Sequence, residues 1–569
     1  MMKRIAFLLL LTLLPFSSCK KEEEGGGGGG GVTPREVTVT GCVKGSDNTP
    51  IAGVVVSDGI YCTKTDEQGN YALGADLSKA DFVFVSTPPD WAAPKKNGHA
   101  IFWKKLADYT KTGGKYTGVD FTLNRISNPD RFTIFIYGDP QPRARNQTTD
   151  NYAYASLDAC EDMYKDMKEY AATLTGRPIY GIGLGDIVHQ KISLLTDYLN
   201  GMKTTGITTY NVIGNHDQGH TMGMTDPEAS KAFEEKMGPT NYSFNLGNLH
   251  FLMLDNMMVQ SGKYSDECST GLTDDIWTFV QNDLSYVSSD KTIMVCAHSP
   301  MFRLLEGHDR SGKHLGDLRN ALLRFSKVYA WAGHTHASFN YVDLSDPKIE
   351  SHTLGRVTGA LWTNEFICEN GTPRGYLVFE YDGGKAKPIS WKFKPIFWQT
   401  GTPSGSSLYD YTYRDWDYNT SGRAVMKSTG ENLSDSYQMQ VFKPGTYEAN
   451  DKTVYANIFL WDEAWDKPRF QLEGGTASVM TRMTASKSTD PYYLYRYSKA
   501  DWEICAWYAS KYSFLKTNWY DDDGKDPSNK KRNCTSIFRY TINSTAAHGS
   551  GTVSVKDRFG NTHTSSISW

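Results

Sequence analysis

The chemistry of this chain is concentrated in five short stretches, each an apolar run that halts and then presents ligand-type side chains. The densest is Tyr210-Asn-Val-Ile-Gly-Asn-His-Asp217, where a β-branched run ends at Gly214 and delivers Asn215, His216 and Asp217 together. Asn offers a neutral oxygen, His a nitrogen or a proton, and Asp a charge able to orient that imidazole. Phe132-Thr-Ile-Phe-Ile-Tyr-Gly138 runs into Asp139-Pro-Gln141, and Ile179-Tyr-Gly-Ile-Gly-Leu-Gly185 into Asp186-Ile-Val-His189. Lys291-Thr-Ile-Met-Val-Cys-Ala297 runs into His298-Ser-Pro300, and Val328-Tyr-Ala-Trp-Ala-Gly333 into His334-Thr-His336. Carboxylates, carboxamides and imidazoles gathered without a thiolate suit hard or borderline divalent cations. A polar turn after a strand explains any one stretch; five in order on one chain form a constellation.

Such side chains must be held at one end of a buried sheet. A strand that stops at a glycine leaves polar residues at its C-terminal edge, where open α/β sheets bind ligands. From Arg131 the chain alternates strand and helix, the pattern of a layered α/β domain. Leu157, Cys160, Tyr164, Met167, Ala171 and Leu174 recur at helical spacing, which predicts an amphipathic helix over 154–174 packed on the sheet. Residues 245–255 read as a hairpin, with Asp255 as a strand-end residue rather than a ligand.

The order Asp-x-Gln, Gly-Asp, Gly-Asn-His-Asp, His and Gly-His-x-His resembles that of the calcineurin-like metallophosphoesterases, the binuclear phosphatases and phosphodiesterases, over residues 132–381. The resemblance implies a layered α/β/β/α sandwich and metal-dependent hydrolysis of a phosphoester. It makes Asp186 the carboxylate shared by two divalent ions. Asp139, Gln141 and His336 would complete one ion, and Asn215, His298 and His334 the other. The family's first block usually reads Asp-x-His; Gln141 stands where that His would be, so the first ion should be held more loosely. Two ions roughly 3.5–4 Å apart neutralise phosphate charge and lower the pKa of bound water, supplying hydroxide as nucleophile. His216 would protonate the leaving alkoxide as general acid, with Asp217 holding its imidazole. His189, one helical turn past Asp186, is placed to hydrogen-bond a ligand or the substrate. Residues 301–315 should lie over the pocket, offering Arg303, Arg310 and Lys313 to phosphate charge and Phe302 and Leu304 to an apolar group. The donor set accommodates Mn, Fe, Zn, Co, Ca or Mg. A phosphorylated small molecule, lipid or glycan, as monoester or diester, is the expected substrate.

The chain has 569 residues, too many for one core, and three domains are expected. Its 60 basic and 64 acidic residues sum to a net charge of −4, so nucleic acid is not an expected partner. A nuclease-like phosphodiesterase shares the metal site but would want a basic stripe that is missing. A glycan-binding lipoprotein using the fold as scaffold is the other alternative, and the intact ligand set argues against it. Met1-Met-Lys-Arg4 followed by the apolar run 5–16 reads as a signal peptide over 1–18. Phe16-Ser-Ser-Cys19 resembles the relaxed lipobox of Bacteroidetes-type lipoproteins, making Cys19 the expected lipidation site. The following Lys20-Lys-Glu-Glu-Glu24 resembles acidic surface-export signals, and the glycines 25–31 form a flexible tether within 19–36. The expected location is the outer membrane, facing outward, with the periplasm as runner-up. Residues 37–124 read as a β-sandwich resembling the carboxypeptidase-regulatory-like domain, 130–385 as the catalytic domain and 388–569 as a β-rich domain. The aromatic clusters 461–465 and 492–497 in the last are expected mostly in its core. Cys42 with Cys62 is the disulfide to test first, and Cys296 reads as a small core residue.

Overall fold

A computed structural model describes residues 35–143, 151–265, 267–303, 310–359, 368, 370–398, 416–446, 451–483, 535–543 and 548–569, with backbone alone for 151–155. The signal peptide, Cys19, the glycine tether, Leu304 and the cluster 492–497 lie outside the described residues.

Two sheets stacked face to face carry the candidate ligands. In the first, β1 (Arg131–Tyr137), β2 (Ile179–Leu184) and β3 (Thr208–Val212) pair in parallel, separated by α1 (Asn151–Thr173) and α2 (Leu194–Thr205). After α3 (Asp226–Met237), β4 (Tyr242–Leu246) and β5 (Leu249–Leu254) form the expected hairpin and open the second sheet. Then follow α4 (Asp274–Ser285), β6 (Thr292–Ala297), α5 (Leu315–Leu322) and β7 (Lys327–Ala332). An edge strand β8 (Phe339–Tyr341) precedes β9 (Ile349–Thr353), and β5, β6, β7 and β9 run parallel. The chain returns to the first sheet with β10 (Gly375–Asp382) antiparallel to β1 and β11 (Ile389–Pro395) antiparallel to β10.

Side chains alternate across a strand with period two. In β1, Phe132, Ile134 and Ile136 point into the core between the sheets, whereas Phe135 and Tyr137 join Met163, Met167, Tyr198 and Met202 of α1 and α2. Tyr210 of β3 stacks on Phe244 of β4 at 3.9 Å, which joins the two sheets. On the far side Phe279, Leu284, Leu318 and Leu322 of α4 and α5 enter the same core. The result is the expected α/β/β/α layering, and because each central strand is covered on both faces it reads as a continuous apolar run.

Helix α1 buries two carboxylates that interrupt its apolar face. Asp162 lies 2.7 Å from Arg374, and Asp166 lies 2.8 Å from the Lys394 ammonium and accepts from the Tyr376 hydroxyl at 2.9 Å. These buried pairs lock the helix to β10 and β11.

Residues 37–126 form two four-stranded sheets and also lend a hairpin to the first of the stacked sheets. Lys95–Lys96 and His99–Ala100 pair with each other, and His99 pairs in parallel with Thr209 of β3. Cys42 and Cys62 are free thiols, contrary to the pairing considered above. They lie on strands of different sheets, Val39–Gly45 and Cys62–Lys64. Cys296 is buried in β6 as expected. At the other end the first sheet runs through Pro395, beyond the boundary expected at 385–388, because β11 completes its edge. The described residues after it are β-rich, and Trp461 is buried in their core. Residues 37–569 pack as one compact unit. Among the described residues no helix is long and apolar enough to cross a membrane.

Candidate metal centre

The ends of β1, β2, β3, β6 and β7 open on one site. Asp139 and Gln141 follow β1, Asp186 follows β2, and Asn215–Asp217 form a single 3-10 turn after β3. His298 follows β6, and His334 and His336 follow β7. Asp139, Gln141, Asp186, His334 and His336 have φ of 49°, 43°, 48°, 68° and 56°. Left-handed backbone at residues with side chains costs about 1–3 kcal/mol each and persists where the surroundings over-determine it, typically at functional sites. Half of the ten described non-glycine residues in that region are candidate ligands.

Asp186 sits at the centre. Its Oδ2 is 3.1 Å from Gln141 Nε2, and its Oδ1 is 3.3 Å from His298 Nε2 and accepts the His216 backbone N–H at 2.9 Å. On one side the ligand atoms of Asp139, Asp186 and His336 all lie within 4.8 Å of one another. On the other, His298 Nε2 is 3.2 Å from Asn215 Oδ1 and 3.1 Å from His334 Nδ1. The His298 Nδ1 is engaged by the Leu184 carbonyl at 2.8 Å, which turns Nε2 towards the site. The His334 N–H donates to both Asp139 oxygens, at 3.1 and 3.0 Å. Two glycines make this closeness possible. A Cβ on Gly214 would sit 2.2 Å from Asp186 N and Oδ1, and one on Gly333 would sit 2.4 Å from Asp139 Oδ2.

The site is short of positive charge. Burial, opposed by His298 and reinforced by Asp186, pushes the Asp139 carboxyl up to about 7. Burial also works against a proton on His298, yet Asp186 and Asp139 outweigh it and lift the imidazole to about 10. Burial lowers His334 to about 4 and His336 well below its usual range, leaving both neutral, the form in which imidazole binds a metal. Gln141 Oε1 is buried without a hydrogen-bond partner. An orphaned carboxamide oxygen costs about 1–3 kcal/mol and is a good hard-metal ligand. These residues fit a pair of divalent ions.

The two catalytic expectations part here. His216 Nδ1 is buried without a hydrogen-bond partner, and its ring packs 4.4 Å from that of His189. Asp217 does not hold the His216 imidazole. Its carboxylate accepts the backbone N–H groups of Ile187, Val188 and Gly214 at 3.0, 2.9 and 2.9 Å, stapling the two loops that carry Asp186 and Asn215. Three buried N–H donors occupy the acceptor that sequence order had assigned to the neighbouring histidine. His189 Nδ1 lies 3.5 Å from Gln141 Nε2, beside the Asp139–His336 side.

In the loop after His298, Arg303 reaches the Tyr341 hydroxyl at 3.2 Å and Asp343 at 3.4 Å, so its charge is already matched. Lys313 pairs with Asp274 at 2.8 Å. Arg310 instead donates to the Pro300 carbonyl and the Thr270 hydroxyl, both at 3.3 Å, and borders two cavities of about 390 and 380 Å³. Asp255 is buried, accepts the Met257 N–H at 3.0 Å and stays outside the cluster. Sequence reasoning missed Arg356, whose buried guanidinium lies against the Asp139–Gln141 turn. Its neighbours Gly355 and Val357 gave no hint.

Layered sheets thus carry a carboxylate–imidazole cluster at the ends of their strands. Residues 37–126 match the family described as the N terminal of Calcineurin-like phosphoesterase. No curated protein matches the chain. Among solved structures, similarity extends to a purple acid phosphatase from yellow lupin (Lupinus luteus) seeds, with 13% identity over 49% of this chain and 53% of that one, at a TM-score of 0.31. A 5′-nucleotidase from Candida albicans shows 14% identity, 47% and 52% coverage and a TM-score of 0.28. A putative 5′-nucleotidase from Staphylococcus aureus shows 12%, 47% and 54%, and 0.28. The chain spans about half the length of these structures.

Proposed function

We propose that the protein hydrolyses a phosphoester, as monoester or diester, with two divalent ions held around Asp186 and His216 as general acid, at the cell envelope. One observation carries the reading: Asp139, Gln141 and His336 gather on one side of the Asp186 carboxylate and Asn215, His298 and His334 on the other. Divalent ions bound by these residues would neutralise the phosphate and supply a nucleophile at neutral pH. Asp186 offers one oxygen to each set, and the Leu184 carbonyl and the His334 N–H keep His298 and Asp139 aimed inward. As the P–O bond breaks, the leaving oxygen needs a proton, and His216, outside both ligand sets, is the group placed to give it. Packing against His189 limits its rotation. Arg310, with carbonyl and hydroxyl partners, has charge left for a phosphate oxygen. The substrate is a phosphorylated small molecule, lipid or glycan. A lipid on Cys19 would tether the enzyme to the outer membrane.

Elemental analysis of purified protein, with turnover on paired chromogenic mono- and diesters, tests the reading. Two divalent ions per chain and turnover on at least one ester are expected. No metal uptake, or metal without hydrolysis of either ester, overturns it.

A further inference from the structure

Arg356 is 1% exposed, among the largest fully buried side chains of the protein. Buried arginines ordinarily face a carboxylate, because an unpaired charge away from water is costly. Arg356 bonds backbone carbonyls instead. Its Nη2 donates to Gln141 O at 2.8 Å and Pro140 O at 3.4 Å, and its Nη1 to Gly359 O at 3.5 Å. Its Nε is buried without a partner. Burial lowers the guanidinium to about 10, with the nearby Asp139 and Asp186 carboxylates acting in the opposite sense. The main chain docks as well: Gly138 and Arg356 form an isolated parallel bridge, and the Val357 N–H donates to Gly138 O at 2.8 Å.

The turn these bonds reach is the one that needs holding. Asp139 and Gln141 both have positive φ, with a proline between them, so the local sequence does not favour this shape. Three polar backbone groups along it, the Pro140 and Gln141 carbonyls and the Gln141 N–H, are caught from outside. Pro140 O takes the Thr358 hydroxyl at 3.0 Å as well as Arg356, and the Gln141 N–H donates to Asp186 O at 2.9 Å.

We propose that Arg356 is a positioning residue for the first metal ion: by gripping the Pro140 and Gln141 carbonyls it holds Asp139 and Gln141 in their ligand-bearing conformation before an ion arrives. The inference rests on the metal-dependent reading above. A carboxamide is a weaker ligand than imidazole, so a site with Gln141 depends more heavily on its main chain being held. The guanidinium also repels a cation, an effect of opposite sign. Bracing outweighs it, because two carboxylates face the ion and, among the described residues, only Arg356 grips Gln141 O.

The test is Mn²⁺ titration of the full chain, with thermal unfolding in chelator alongside. Arg356→Met keeps length and apolar bulk but removes charge and donors. It should weaken the first ion about 10–100-fold while leaving the second near wild type. Arg356→Lys should recover part of the loss, and Thr358→Val, which removes another donor to Pro140 O beside the weaker Cys160 thiol, should shift the same ion by less. A purely packing role would lower the melting temperature without separating the two ions. Wild-type binding of both ions by Arg356→Met, tighter binding, or parallel loss of both overturns the proposal. If Arg356→Met does not fold, Thr358→Val decides: selective weakening of one ion supports the proposal, and a wild-type titration overturns it. A wild-type chain that takes up no divalent ion sinks the metal-dependent reading itself, a result distinct from all of these.

Discussion

Asp186 is the residue that touches both halves of the site, Gln141 through one oxygen and His298 through the other. Replacing it with Asn keeps the shape and removes the charge that lies 3.3 Å from His298 Nε2. Asp186→Asn is expected to abolish turnover and to hold fewer than two ions per chain, read by elemental analysis; full metal content with full activity would exclude the shared-carboxylate role. His216 and Asp217, adjacent in sequence, should fail differently. His216→Ala is expected to keep both ions and lose about 10²–10⁴-fold in turnover on alkyl esters, with a smaller loss on nitrophenyl esters, whose leaving group needs no proton. Asp217→Asn forfeits part of a carboxylate that takes three backbone N–H bonds. Its loss should be uniform across leaving groups and accompanied by a lower melting temperature. A leaving-group dependence in Asp217→Asn would restore that residue to the acid's hydrogen-bond partner.

The strand ends work because glycines let ligand-bearing loops touch. Gly214 has φ of −109°, an ordinary value, so its requirement is space rather than backbone freedom. A methyl group there would meet Asp186 N and Oδ1 at 2.2 Å. Overpacking of this kind typically costs about 1–3 kcal/mol. Gly214→Ala should therefore lower the melting temperature by a few degrees and reduce metal uptake, because the displaced neighbour is the central carboxylate. An unchanged metal titration would show that the loop relaxes freely.

The flanking domains are joined to the catalytic layers rather than strung beside them. The 95–100 hairpin extends the first sheet, and Arg558 reaches from near the C-terminus to Glu350 of β9 at 2.7 Å and to Asp462 at 3.0 Å, over the Trp391 ring. Removing one member of a buried ion pair costs about 3–5 kcal/mol because the other is left unmatched. Arg558→Met should destabilise the chain by that order in denaturant unfolding. Burial works against the Glu350 charge, but hydrogen bonds from His352 and Arg558 hold its carboxyl well below the usual range. A depressed carboxylate stabilises the fold above its unfolded value and ceases to do so as pH falls towards the folded one. The wild type should thus lose stability on acidification, and Arg558→Met should lose less over the same interval. Equal acid sensitivity would remove this network as a cause. At the scale of the cell, Cys19→Ala is expected to move the protein from the membrane fraction to the soluble one. Wild-type protein already soluble would end the lipid-anchor reading.

The amino-acid sequence by itself determined the strands, their order and the ligand types at their ends. Strands covered on both faces must be apolar throughout, so the polar residues that interrupt them stand out locally, and the left-handed turns that present them follow directly after. What only the tertiary structure decided depends on partners far along the chain. Asp162 finds Arg374 across 212 positions and Arg356 finds Pro140 across 216, and no local pattern announces either. The same holds for Asp217, whose donors come from the loop after another strand, and for Cys42 and Cys62, which lie in separate sheets. It holds equally for the short hairpin and for β11, whose place in the first sheet was set by a neighbouring strand. Burial patterns are written in the chain because solvent exposure repeats with each element's own period. The pairing of buried polar groups is not, because it is fixed by which elements come to lie side by side.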